Sequence, residues 1–155
     1  MAKYFNRPSK PVKLPVPSKE QATAEHTLAS QADPDKVPAT IEQAVNMLVD
    51  NLTEEQKEAA SKLVDYKAHR SLGQGLRNGW SLWERDTPMR NDAKETYGIA
   101  HADDISGLIL AWATARVRDE EFDPQEYCQR YVEHWAASGL TPIEAGEGKD
   151  GATGA

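Results

Sequence analysis

Two segments of the sequence carry side chains that could do chemistry. In the first, His69, Gly73 and Arg77 follow at four-residue steps, so a helix would place the imidazole and the guanidinium on one face with nothing bulky between them. In the second, Asp103 and Asp104 stand side by side at the start of a predicted helix. An arginine that meets these carboxylates from a facing helix would form a polar network.

A metal site is one interpretation of these side chains, because imidazole and carboxylate ligands suit zinc, manganese or iron. Helical metal sites usually show His-x-x-x-His or Glu-x-x-His spacing, and neither occurs here. Successive carboxylates point to different faces of a helix, and no nucleophile elbow is present. We therefore predict no catalytic, metal or cofactor-binding residue. The predicted role is a structural polar network formed by His69, Arg77, Asn78, His101, Asp103 and Asp104.

The single cysteine and the four tryptophans are predicted to belong to the core. Cys128 excludes an internal disulfide and a cysteine-based zinc site, and Tyr131 and Val132 share its apolar helix face. His134 is six residues further along the helix and too far around it to activate the thiol. Tryptophan supplies large apolar area, so a tryptophan left exposed would mark an interface.

The elements that must position these residues are helices. Thr40 to Gln43 and Thr53 to Gln56 are capping boxes, which predict helices over residues 41–50 and from residue 54 onward. Residues 63–83 predict one helix or two. The apolar stripe of this helical segment would contain Leu72, Leu76, Trp80 and Trp83. The glycines at positions 73, 75 and 79 predict a close helix crossing or a bend.

Residues 84–100 are predicted to form an irregular connection. The next helix is expected to begin at residues 101–104, with acids in its first turn, and to end near Arg118. Asp123 followed by Pro124 marks the start of the last helix, and Gly139 marks its end. Strand signals are absent. The fold class predicted for residues 38–140 is therefore an all-α compact bundle of four to five helices.

Flexible tails are predicted on both sides of this domain. Residues 1–37 are interpreted as a basic, proline-rich arm and linker, since residues 21–32 contain Leu28 as their single large apolar side chain. Residues 141–155 are interpreted as a flexible tail rich in glycine and alanine. Prolines favour extended docking segments, and the candidate docking residues are Pro8, Pro11, Leu14, Pro15 and Pro17.

Charge is distributed unevenly along the chain. The sequence has 18 basic and 25 acidic residues, but residues 1–19 hold five basic residues and no acid. The remainder therefore carries 13 basic against 25 acidic residues, a net charge of −12, which repels a nucleic-acid backbone. No long apolar run is present, so we expect neither a signal peptide nor a membrane span. We therefore expect a cytoplasmic protein.

Two motifs resemble a known family. Arg77-Asn78-x-x-x-Leu82-Trp83, followed by His101-Ala-Asp-Asp-Ile-Ser106, is similar to an uncharacterised family of small helical domains found in bacterial and phage proteins. The similarity spans residues 38 to 118, with Ala102 where the family usually has proline. It implies an all-α fold and a bacterial or phage setting, and it supplies no catalytic residue.

The predicted function is a non-enzymatic protein–protein interaction module. In this interpretation the chain is a phage or bacterial accessory protein of the cytoplasm, or of the host cytoplasm for a phage protein, that docks another protein through its N-terminal arm. One alternative is an acidic inhibitor that imitates nucleic acid. Another is a small metal-dependent enzyme built on the His, Arg and Asp residues named above.

Overall fold

The computed structural model describes residues 18–33, 35–64 and 72–148, and all regular structure in these residues is helical. The all-α prediction is confirmed, but the described residues hold more helices than the four or five predicted. One π-helical turn, Ala93–Tyr97, directly follows α5. The eight α-helices are α1 Lys19–Ala29, α2 Ile41–Val49, α3 Glu54–Ala60, α4 Leu72–Gly79, α5 Pro88–Asp92, α6 Ala102–Val117, α7 Pro124–Ala136 and α8 Pro142–Glu147.

Helix α6 is the centre of the molecule. It packs against α2, α3, α4 and α7, and its residues from Ile105 to Ala111 are all buried. A helix that is apolar around most of its circumference requires neighbours on several sides, which explains this central position. Ile105, Leu108 and Ile109 have no exposed surface, as the predicted stripe requires.

Side-chain caps define several helix starts as predicted. Thr53 and Gln56 exchange both hydrogen bonds of a capping box at α3, and the Thr40 hydroxyl accepts from the Gln43 amide at α2. Asp123 caps α7, with Pro124 as the first helical residue. These signals are local in sequence, so they could be recognised before the fold was known.

Helix α1 contradicts the interpretation of residues 21–32 as a linker. Ala24 and Leu28 are completely buried, and α1 packs against α2, α3 and α4. The Gln21 side chain donates to the Lys62 carbonyl, and its oxygen accepts from the Val64 amide at 2.9 Å. The linker prediction was wrong because it counted large apolar side chains, whereas α1 packs through small residues and polar contacts.

Helix α8 contradicts the predicted tail in its first part. Thr141 and Glu144 form a capping box, and Pro142 and Glu147 are buried. Gly146 has no side chain, so its backbone approaches that of Ala100 closely; an added Cβ would collide with the Ala100 carbonyl. Such an approach is a tertiary contact that composition does not reveal. Residues 149–155 lie outside the described residues.

Residues 84–100 also differ from the irregular connection that was predicted. They contain α5 and the π turn, and Thr87 caps α5 ahead of Pro88. Gly98 ends the π turn in the left-handed region at φ 69°. The Thr-Pro start signal was present in the sequence, but the five-residue helix that follows it is too short to show an apolar periodicity.

The predicted glycine-spaced helix of residues 63–83 differs at both of its described ends, because residues 63–64 are not helical and α4 ends at Gly79. Residues 65–71 lie outside the described residues. An added Cβ at Gly75 or Gly79 would meet nothing within 4 Å, so the predicted close crossing is wrong for these two positions. Leu76 and Trp80 are buried as predicted, whereas Trp83 is exposed. In the described ranges, no helix is both long enough and apolar enough to cross a lipid bilayer.

Candidate functional site

The turn after α4 separates Trp83 from the core. The Leu82 amide donates to the Arg77 carbonyl at 2.9 Å, and Ser81 adopts the left-handed region at φ 55°. This pattern is a Schellman ending, which reverses the chain direction after a helix. Leu82 is therefore directed into the core, with no exposed surface, and Trp83 projects outward with 53% of its surface exposed.

Arg77 connects α4 to the start of α6. Its guanidinium is buried, with Nε 3.2 Å from Asp103 Oδ1, and Nη1 donates to the Ser106 hydroxyl at 3.0 Å. The Ser106 hydroxyl donates in turn to the Asp103 carbonyl at 3.0 Å. The structure thus brings together Arg77 and Asp103 of the predicted network, and adds Ser106, which the prediction did not include.

The other predicted network residues have different positions. His69 lies outside the described residues. Asn78 is exposed, next to Arg77 on α4. His101 caps α6, because its Nδ1 accepts from the Asp103 amide at 3.1 Å. The imidazole therefore orders the start of α6 directly.

Asp104 is 5% exposed and serves as the acceptor for an indole. Its Oδ2 accepts from Trp135 Nε1 at 2.8 Å. Burial raises the pKa of the Asp104 carboxyl, and the indole hydrogen bond and the nearby His101 partly oppose this rise. Asp104 therefore holds Trp135, and with it α7, against the start of α6.

Three aromatic side chains form a continuous row, here called the aromatic row: Trp83, His101 and Trp135. The ring centroids of Trp83 and His101 are 5.7 Å apart in an edge-to-face arrangement, and those of His101 and Trp135 are 5.4 Å apart. His134 adds a fourth ring, with its centroid 4.8 Å from that of Trp135. The row therefore joins the turn after α4 to α6 and α7 across the surface.

An open cleft of about 530 Å³ lies beside the row. Its lining residues come from α4, α6 and α7: Arg77, Asp103, Asp104, Arg130, Tyr131, His134 and Trp135. The cleft thus contains both charge signs and three ring-bearing side chains of α7. Such a surface can stack on flat or ring-shaped groups while its charged groups orient them.

The remaining tryptophans have structural environments. Trp80 is 2% exposed, and Trp112 stacks on Phe122 with the ring centroids 6.0 Å apart. Trp135 is half-buried through its bond to Asp104. Trp83 is thus the one tryptophan that the fold leaves exposed, and an exposed tryptophan is the feature expected of an interface.

Cys128 has the environment of a buried hydrophobic residue. It is 3% exposed, and burial raises the pKa of its thiol to about 12, so the thiol is protonated at neutral pH. Among the described residues, no three His, Cys, Asp or Glu side chains are grouped so as to hold a metal ion. The proline-rich arm, with Pro8, Pro11, Leu14, Pro15 and Pro17, lies outside the described residues.

A buried charge cluster between α5 and α8 was not predicted. Arg90 is 2% exposed and donates to the Leu82 carbonyl at 3.0 Å, while its Nη2 lies 3.8 Å from Glu147 Oε1. Lys94 Nζ contacts the same carboxylate at 2.7 Å. Burial lowers the pKa of Arg90, and Glu147 opposes this shift. No sequence signal identified the cluster, because its partners are more than fifty residues apart.

The family match covers the helices that form most of this site. The DUF6794 family model, described as a domain of unknown function, matches residues 37–116, which include Arg77, Trp83, His101 and Asp103. No curated protein and no solved structure matches the chain significantly. Because the family match covers more than half of the 155 residues, the chain belongs to the DUF6794 family of domains of unknown function.

Proposed function

We propose that the protein is a non-enzymatic protein–protein interaction module that uses the aromatic row as its contact surface. In this proposal, the protein is a cytoplasmic accessory protein of bacteria or phages. The observation that carries the proposal is the exposure of Trp83. Trp83 is 53% exposed, although the same chain buries the neighbouring Trp80 almost completely.

The energetics of tryptophan support an interaction role. A half-exposed indole retains much of the hydration cost that burial would remove, and tryptophan is among the residues most enriched at the energetic centres of interfaces. The edge-to-face contact with His101 and the Schellman turn at Ser81 fix the ring in place before binding. A rigid, pre-ordered anchor loses little conformational entropy when a partner covers it.

The structural roles of the polar residues also favour binding over catalysis. His101 caps a helix, Asp104 holds an indole, and Arg77 joins two helices through Asp103 and Ser106. Each of these three side chains thus contributes to the support of the row. The support keeps the contact surface rigid, which is what an interface requires.

The alternative of nucleic-acid mimicry has weaker support. The densest exposed acids are Asp119, Glu120, Glu121 and Asp123 in the α6–α7 connection. Mimicry needs carboxylates spaced along one face in the manner of phosphates, whereas these acids follow a turn, and Arg118 Nη1 lies 3.9 Å from Glu120. The exposed aromatic row therefore supports a protein-binding role better than the exposed acids support nucleic-acid mimicry.

The test compares proteins captured from the producing cells by the full chain and by Trp83→Ala. We expect the wild-type chain to retain a reproducible partner that Trp83→Ala recovers at least about thirtyfold less, since loss of a hot-spot indole costs about 2 kcal/mol or more. Helical content should be unchanged, because Trp83 lies outside the core.

Val37→Ala is the matched control, since Val37 is 54% exposed and lies far along the chain from the row. It should recover the partner at the wild-type level. Equal recovery of every protein by wild type and Trp83→Ala would disprove the proposed role of the row. Loss with both variants would indicate a general effect on the surface and would also count against it.

A further inference from the structure

We propose that the proline-rich segment of the chain, residues 8–17, docks on the aromatic row of its own domain and covers Trp83 when no partner is bound. The arm and the row have complementary spacing, complementary chemistry and complementary charge. This inference rests on the proposed function, because the arm and the partner would use the same surface. Docking of the arm adds a regulatory contact within the chain.

The spacing of the segment matches a polyproline II helix. This helix has three residues per turn and rises about 3.1 Å per residue, so every third residue lies on one face about 9 Å from the next. Pro8, Pro11, Leu14 and Pro17 stand at this three-residue interval. These four residues would lie along one side of the helix, which we call the apolar edge.

The row has the matching dimensions. Because the Trp83–His101 and His101–Trp135 centroid distances share the His101 ring, the two indoles lie at most about 11 Å apart. Two successive members of the apolar edge would thus each meet one indole, with the His101 ring between them. Aromatic surfaces of this kind are the recurrent receptors of proline-rich segments, which lose little entropy on binding because their conformation is preformed.

Charge favours the same pairing. Arg7, Lys10 and Lys13 also repeat at three-residue intervals and would form a basic edge beside the apolar one. Residues 1–17 contain four of the 18 basic residues and no acid, so residues 18–155 carry 14 basic against 25 acidic residues, a net charge of −11. Asp103 beside the row has a side chain that is 52% exposed. The carboxylate is available to a lysine of the arm while it still contacts Arg77.

The arm is long enough to reach the row. Helix α1 begins after its cap Ser18 and packs against α4, and Trp83 follows the end of α4 by four residues. Pro8 precedes Ser18 by ten residues, which span about 31 Å in polyproline II form. A tethered segment has an effective concentration on the order of 1 mM, so a free-segment Kd of about 1 mM would already keep it docked half of the time.

The test uses the full chain labelled with ¹⁵N and follows the four indole N–H resonances. In the edge variant, Pro8, Pro11 and Leu14 are replaced by serine, which removes three of the four members of the apolar edge. We expect the resonances of Trp83 and Trp135 to shift and those of Trp80 and Trp112 to stay. The last two tryptophans report on the core and on the stacked Phe122 cluster, so their constancy shows that the fold is intact.

The matched control replaces Ser9, Val12 and Pro15, which repeat at the same interval on a different edge, with Ala, Ser and Ser. It should leave all four resonances at their wild-type positions. Equal shifts in the control and the edge variant would overturn the proposed register. Unchanged Trp83 and Trp135 resonances in the edge variant would overturn docking altogether.

Further outcomes distinguish docking within one chain from docking on a second copy, and distinguish the docked arm from the proposed function. A Trp83 shift that depends on protein concentration would assign the arm to a second copy and overturn docking within one chain. If the edge variant leaves Trp83 unchanged while Trp83→Ala still loses its captured partner, the docked arm is disproved and the proposed function stands. The converse pair of results disproves the proposed function alone.

Discussion

Asp104 shows how one buried carboxyl can serve the surface beside it. The carboxylate accepts the Trp135 indole N–H, and the indole completes the aromatic row. Burial opposes ionisation of this group and raises its pKa. The hydrogen bond that fixes Trp135 therefore depends on a carboxylate that is costly to ionise in its position.

We predict a specific pH dependence for Asp104→Asn. Because the pKa is raised in the folded state, the folded protein binds this proton more tightly than the unfolded chain between the two pKa values. Stability from this group is fully present below the unfolded pKa and is lost as the pH rises through the folded pKa. The free energy of unfolding of the variant, relative to wild type, should therefore increase through that window, as measured by urea unfolding over a pH series.

Trp135→Phe is the companion variant, because it keeps a ring in the row and removes the N–H donor. Without this donor the pKa of Asp104 should rise further, so the window should extend to higher pH than in wild type. A constant difference between Asp104→Asn and wild type at every pH would contradict the raised pKa.

At the residue scale, the sequence predicted the pairing of Arg77 with Asp103 but not the exposure of Trp83. The pairing followed from helical spacing and from acids at a helix start, both of which are local signals. Trp83 was assigned to the stripe of Leu76 and Trp80. That assignment failed because the Schellman turn uses Ser81, rather than the usual glycine, in the left-handed conformation.

Glycine provides a sharp comparison at the scale of elements. Gly146 in α8 lies against the backbone of Ala100, whereas Gly75 in α4 has open space around the position of a Cβ. The same substitution therefore has opposite expected effects in the two helices. The close backbone approach predicted for the glycines of α4 is absent at Gly75 and Gly79, and one is present at Gly146 in α8.

We predict that Gly146→Ala lowers stability and that Gly75→Ala raises it. The new methyl group at 146 must displace α8 from the Ala100 backbone, which should weaken the Glu147 contacts with Arg90 and Lys94 and cost about 1–3 kcal/mol. At position 75 alanine should add about 0.5–1 kcal/mol through its higher helix propensity. Thermal unfolding of both variants is the measurement. A stabilised Gly146→Ala would mean that α8 does not pack as described.

The elements that the sequence missed share a physical cause. Helices α1 and α8 have few large apolar residues, so neither shows a strong helical stripe on its own. They are ordered by tertiary contacts, Gln21 with Lys62 and Val64 in α1 and Glu147 with Lys94 in α8. Helices α2, α3, α6 and α7 were predicted because their caps or apolar periodicity are visible within each segment.

At the scale of the whole molecule, the folded unit extends beyond the segment that the family match covers. The matched residues 37–116 contain α2 to α6 almost completely, but α1 packs against α3 and α4, and α7 carries the indole bound by Asp104. The aromatic row thus requires a helix outside the matched segment. A fragment limited to residues 37–116 would lack Trp135 and half of the cleft.

Truncation tests this extent of the fold directly. We predict that removal of residues 1–17 leaves the thermal midpoint of unfolding unchanged, because Ser18 still caps α1. Removal of residues 1–36 eliminates Leu28 and Ala24 from the core. The loss of buried Leu28 alone should cost about 2–5 kcal/mol, a large part of the roughly 5–15 kcal/mol that stabilises a typical domain.

Leu28→Ala in the full chain is the matched variant for this comparison, since it removes one core side chain and keeps α1. Its thermal midpoint should fall between those of the two truncated forms, and calorimetry of the three proteins measures the order. If the chain lacking residues 1–36 melted like the full chain, α1 would be dispensable and the boundary of the folded unit would return to residue 38. If the chain lacking residues 1–17 melted markedly lower, the arm itself would contribute to the fold, which is more than docking on an exposed aromatic surface requires.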